Sequence, residues 1–103
     1  MKATFKFDTD VMRTEAERLQ GRPAFMMIKW RRFHNRQAWT GGIEDYVLIK
    51  SYNTIVGIVD VKNGYTYELG HWSQTTTQQI RAIWNECFSY TTEFVPYIAK
   101  KGE

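Results

Sequence analysis

Cysteine is nearly missing. Cys87 stands alone, which excludes an intramolecular disulfide, and no CxxC or Cys/His spacing accompanies it, so no metal site is expected. A reducing cytoplasm suits such a chain. Long apolar runs are missing as well: no stretch approaches the ~18 residues of a membrane helix. Met1 to Leu19 lacks the charged start and apolar run of a secretion signal, so neither membrane insertion nor export is expected. Internal repeats, linkers and low-complexity tracts are absent, and 103 residues make one domain, 1–103, with one small core.

Acid is missing from one long segment. Residues 22 to 43 carry Arg22, Lys29, Arg31, Arg32 and Arg36 without an Asp or Glu. With a net charge of +3 overall, the rest of the chain sits at about −2, so the positive charge is local and can steer an anionic partner. What is abundant is aromatic. Rings at 16% and hydrophobic residues at 43% exclude a disordered composition. Large rings bury much area for little rotamer entropy, which lets a small domain fold as a monomer or a dimer.

Ala3, Phe5 and Phe7 alternate as a short strand or extended lead-in. Asp8 or Thr9 can then cap a helix over 9 to 20, whose Val11, Met12, Ala16 and Leu19 recur at spacings of three and four, and Gly21 and Pro23 end it. From Phe25 to Phe33, Met26, Ile28 and Trp30 oppose Lys29 and Arg31, which predicts a strand. His34 to Gly42 has turn composition and is expected to be a loop carrying Arg36 and Trp39 outward. Asp45 to Tyr52 alternates again, with Val47 and Ile49 opposed to Tyr46, Leu48 and Tyr52.

Strands Thr54 to Val61 and Tyr65 to Gly70 flank the turn dipeptide Asn63-Gly64. Two registers compete. A two-residue loop pairs Asp60 with Tyr67, whereas a three-residue loop pairs Val61 with Tyr65 and Val59 with Tyr67. The second gathers β-branched and aromatic residues on one face and is the one expected, with Gly64 left-handed. Ser73, Thr75 and Thr76 offer caps for a helix from near residue 76 to about 88, and a short second piece follows, broken at Pro96. Its apolar stripe buries Cys87. The elements predict an α+β domain: an antiparallel sheet of three to five strands, with an N-terminal and a C-terminal helix packed on one face. The other face, or an edge, is left for binding.

At SYNTIVGIVD, GYTYELG and WSQTTTQQI the chain resembles an uncharacterised family of small proteins from phages and other bacterial mobile elements. The pattern falls on Ser51, Tyr52, Thr54, Val56, Asp60, Gly64, Tyr67, Ser73, Thr75, Thr76 and Ile80. Many members place His just before that Ile; this chain has Gln79. The basic segment lies outside the pattern. The resemblance implies a protein of the host bacterial cytoplasm that binds host machinery, as anti-CRISPR proteins do when they inhibit a Cas nuclease or its guide-RNA complex.

His71, Ser73 and Glu68 offer a base, a nucleophile and an acid within six residues. On a strand end Glu68 and His71 point to opposite sides and Ser73 serves better as a cap, so no catalytic residue, no cofactor and no enzyme activity are expected. Asp8 and Asp10 suit the positive end of a helix better than a carboxylate dyad. The run Lys29 to Trp39 interleaves cations with rings. It can grip phosphates and stack bases, pair with carboxylates on an acidic protein, or form a half-buried strand with its cations solvated. Lys29, Arg31, Arg32, Arg36 and Trp39 are the candidate partner-binding residues, for a host protein or, alternatively, for single-stranded DNA or RNA. Tyr46, Tyr52, Tyr65 and Tyr67 form a stripe expected to be mainly core. A third reading has the chain pairing with itself through an exposed sheet edge.

Overall fold

The computed structural model describes residues 9–97. The lead-in Ala3 to Phe7 and the cap candidate Asp8 lie outside the described residues. Helix α1, Thr9–Gln20, follows the predicted bounds and buries Met12, Ala16 and Leu19. Val11, one position off that row, is 55% exposed. Past Gly21 the chain does not enter the predicted strand. Pro23, with φ preset and no N–H, opens a 3₁₀ turn over Pro23–Met27, closed by hydrogen bonds from Phe25 N–H to Arg22 O (3.0 Å) and from Ile28 N–H to Phe25 O (3.3 Å). Only β1, Arg31–Arg32, of the expected Phe25–Phe33 strand is in the sheet.

Strand β2 is Ala38–Ile43, where a loop was expected. The misleading signal is Gly41-Gly42. A Cβ at Gly41 would collide with Ile28 Cγ2 and lie 2.8 Å from Trp30 Cε3, so this glycine admits two side chains across a strand rather than turning the chain. Strands β3, Tyr46–Ser51, and β4, Thr54–Asp60, follow, with a bulge where Ile49 pairs with Gly57 and Lys50 with Ile55. Strand β5 is Tyr65–Glu68. The hairpin register is neither of the two expected. Asp60 pairs with Tyr65 and Ile58 with Tyr67, across a loop of residues 61–64. The Asp60 carboxylate closes that loop, accepting from the Asn63 N–H (3.1 Å) and the Asn63 Nδ2 amide (2.8 Å), while Gly64 takes φ +83° as expected.

Helix α2, Gln74–Ile83, is capped by Ser73, whose Oγ accepts from the Thr76 N–H at 3.2 Å. A π-helical segment, Trp84–Phe88, continues it. The wider π turn takes the helix off the 3.6-residue row, and Cys87, predicted buried, is exposed. The expected second helical piece is instead strand β6, Glu93–Val95, parallel to β5. The six strands run in chain order β1 to β6, antiparallel except for the last pair.

The α+β class stands, but the sheet has six strands, one is parallel, and the helices do not share a face. Met12, Ala16 and Leu19 of α1 pack with Leu48, Ile58 and Tyr67; Ile80 and Ile83 of α2 pack with Ile49, Val56, Val59 and Ala38. Alternation along β3 puts those two sets on opposite sides of the sheet. Consequently neither face is left open as expected, and the polar Thr66 and Glu68 of β5 are buried. Thr66 bonds Thr92 between hydroxyls at 2.7 Å, and Glu68 accepts the Tyr97 N–H at 3.1 Å. Among the described residues no helix is long and apolar enough to cross a membrane.

Candidate functional site

With both faces covered, the exposed chemistry gathers at the β1 end of the sheet. The register sets Trp39 of β2 between Arg32 of β1 and Lys50 of β3. All three side chains lie on the α1 face, because Lys50 and Leu48 are two residues apart on one strand. Lys50 Nζ stands 4.2 Å from the Trp30 ring centroid and 5.4 Å from that of Trp39, and Arg32 Cζ lies 5.7 Å from the Trp39 centroid. Trp30 is seated over Gly41 with its edge to Phe25, their centroids 6.1 Å apart. Each cation over a ring contributes about 0.5–1 kcal/mol at such exposure. The cluster therefore holds its charges in place instead of leaving them on free stems.

Not all five predicted residues join it. Arg32 and Trp39 do. Arg36 is exposed in the β1–β2 loop, where its carbonyl accepts from Arg32 Nε at 2.8 Å. Arg31 points to the α2 face and draws on the Cys87 thiol, whose pKa is nonetheless raised, first by partial burial and then by the Glu86 carboxylate. Lys29 is exposed ahead of β1. Trp39 is half-buried in a strand rather than carried out on a loop. Two members, Lys50 and Trp30, were missed as site residues; Lys50 becomes visible only once β2 is known to be a strand in register with it.

Among the described residues, no carboxylate is within 4 Å of Lys29, Arg31, Arg32, Arg36 or Lys50. The acids nearby are spent elsewhere. Arg22, counted with the basic segment, pairs with Glu44 at 3.2 Å, and Arg18 joins Glu44 (2.9 Å) and Glu15 (2.8 Å), holding both carboxyls below the usual carboxylate range. Glu86 pairs with His34 at 2.8 Å, tying the β1–β2 loop to the π segment.

The other residues weighed for chemistry have partners within the fold. Ser73 is the α2 cap, Glu68 is bonded to the Tyr97 amide, and His71 lies edge-on to the Tyr97 ring at 4.9 Å. Of the tyrosine stripe, Tyr67 is buried, Tyr46 and Tyr65 are half-buried and Tyr52 is 60% exposed, at φ 55° in the β3–β4 turn. Burial pushes the Tyr46 and Tyr67 phenols up to about 12. Gln79, where the resemblance places His, is buried and accepts from the Ser51 hydroxyl at 3.1 Å. It clasps α2 to the end of β3.

Comparison with curated proteins and with solved structures finds no match. A family model does match, over residues 26–98, and that span takes in most of the basic segment as well as the hairpin and the capped helix. The chain belongs to this family, DUF8033, a family of unknown function.

Proposed function

We propose that this chain acts by binding rather than catalysis, docking on an acidic protein surface through Arg32, Trp39 and Lys50, with Lys29, Arg31 and Arg36 around them. The observation that carries the reading is a set of five cations without a carboxylate partner among the described residues, two of them held over tryptophan rings. Fixed guanidinium forks pair carboxylates at less entropic cost than free ones. Joined to the resemblance to phage proteins, this supports reading the chain as an inhibitor of a host defence factor in the bacterial cytoplasm, with a Cas nuclease as the proposed target. Cas channels are positive where they hold nucleic acid, so a basic patch suits an acidic site on such an enzyme better than it suits mimicry of DNA.

The second reading is a single-stranded nucleic-acid module, favoured by the cation and ring mixture. Against it, Lys50 and Arg32 already stand over the Trp30 and Trp39 rings that would stack bases. Nuclease cleavage assays with and without the protein, across several effector types, test the inhibitor; unaffected cleavage throughout removes it. A gel-shift series in salt tests the module, for which binding must fall along a steep log-linear slope.

A further inference from the structure

Strand β1 ends the sheet, with β2 on one side of it. Phe33 N–H donates to Ala38 O at 2.8 Å, and the register pairs Arg32 with Trp39 and Arg31 with Thr40. In an antiparallel ladder the inward-facing residues alternate, so Phe33 and Arg31 turn their backbone groups to β2 while Arg32 and Trp30 turn theirs away. Among the described residues no strand pairs with that outer side. An edge of this kind is a template for another chain.

Charge decides which chain. Pairing two copies edge to edge would bring the Arg31 and Arg32 of each against the other, and like charges across a ladder are destabilising. A strand carrying carboxylates meets the opposite situation, with Lys29, Arg31, Arg32 and Arg36 available to pair. Just upstream, Met26 and Met27 are 84% and 80% exposed on the 3₁₀ turn, adaptable apolar side chains beside the charged edge.

We infer that the outer edge of β1 receives an extended acidic segment of a partner protein as an added strand. The inference rests on the docking reading above and specifies the partner's conformation: backbone groups at Trp30 and Arg32 supply the ladder, and the flanking cations select the acid.

The test uses a fluorescein-labelled peptide of alternating Glu and Val, the same peptide with its backbone amides N-methylated, and an oligothymidylate, each titrated by anisotropy at low salt. The unmodified peptide is expected to bind at least tenfold tighter than the methylated one, and tighter than the oligonucleotide. In its complex, hydrogen exchange should slow at the Trp30 and Arg32 amides and stay unchanged at Arg31 and Phe33. Equal binding of the two peptides, or no alternation in exchange, overturns the added strand while leaving acidic docking intact. Failure of both peptides overturns both readings, and tighter binding of the oligonucleotide overturns them in favour of nucleic acid.

Discussion

Replacing Gly41 by alanine probes the seat of the cluster with a single methyl group. The added Cβ would overlap Ile28 Cγ2 and come within 2.8 Å of Trp30 Cε3, both ring and branch being fixed against the sheet. Overpacking of this kind costs about 1–3 kcal/mol. Two contacts under 3.0 Å put the clash in the upper part of that range, about 2–3 kcal/mol, and alanine recovers up to about 1 kcal/mol of backbone entropy relative to glycine, so the clash wins and the net loss is about 1–2 kcal/mol. In a domain of this size that lowers Tm by roughly 5–15 °C. The neighbouring Gly42→Ala is the control, since its Cβ would find only Tyr46 O at 3.9 Å and its Tm should hold or rise slightly. Thermal unfolding by circular dichroism reads both. Equal behaviour of the two variants, or a stabilised Gly41→Ala, refutes the close approach of Trp30 to β2.

Lys50→Ala should change the tryptophan emission spectrum and lower stability by about 0.5–1 kcal/mol, read in urea; an unaltered spectrum would place the ammonium away from both rings. Ser51→Ala leaves Gln79 buried without its hydroxyl donor and should cost about 1–3 kcal/mol, with Ser51→Ala/Gln79→Leu costing less than the two single changes together. Tyr46 and Tyr67 have folded pKa values pushed from 10.0 to about 12, so above pH 10 the unfolded chain releases protons that the folded chain retains. Stability should therefore fall as pH rises from 10 to 12, and less steeply in Tyr46→Phe; a flat profile over that window contradicts the burial of the phenols.

Local chemistry made α1, the Ser73 cap and the left-handed Gly64 legible, since each depends on a few adjacent residues. Longer relations were not. Strands β1 and β6, two and three residues long, are too short to show an alternation. Gly41 resembles a turn residue because its reason, the Ile28 and Trp30 side chains, lies a dozen residues upstream and reaches it only through tertiary packing. The opposed helices did leave a trace: in β4, TIVGIVD, the last five residues are all buried, as expected of a strand covered on both faces, whereas the order of strands and helices had put both helices on one face. The cationic residues were legible as a group, but their sorting was not, because Arg22 finds Glu44 and Lys50 finds Trp39 only across the folded chain.

The four tryptophan indoles allow the proposed docking surface to be tested in one spectrum. Trp72 Nε1–H is bonded to Val56 O at 3.1 Å and Trp84 Nε1–H to Thr92 O at 3.2 Å, whereas Trp30 and Trp39 belong to the cationic corner. Titrating poly-L-glutamate into ¹⁵N-labelled protein at low salt should move the Trp30 and Trp39 indole signals, reversibly on adding NaCl, and leave those of Trp72 and Trp84 in place. Uniform movement of all four, or none, contradicts an acid-binding corner at β1 to β3.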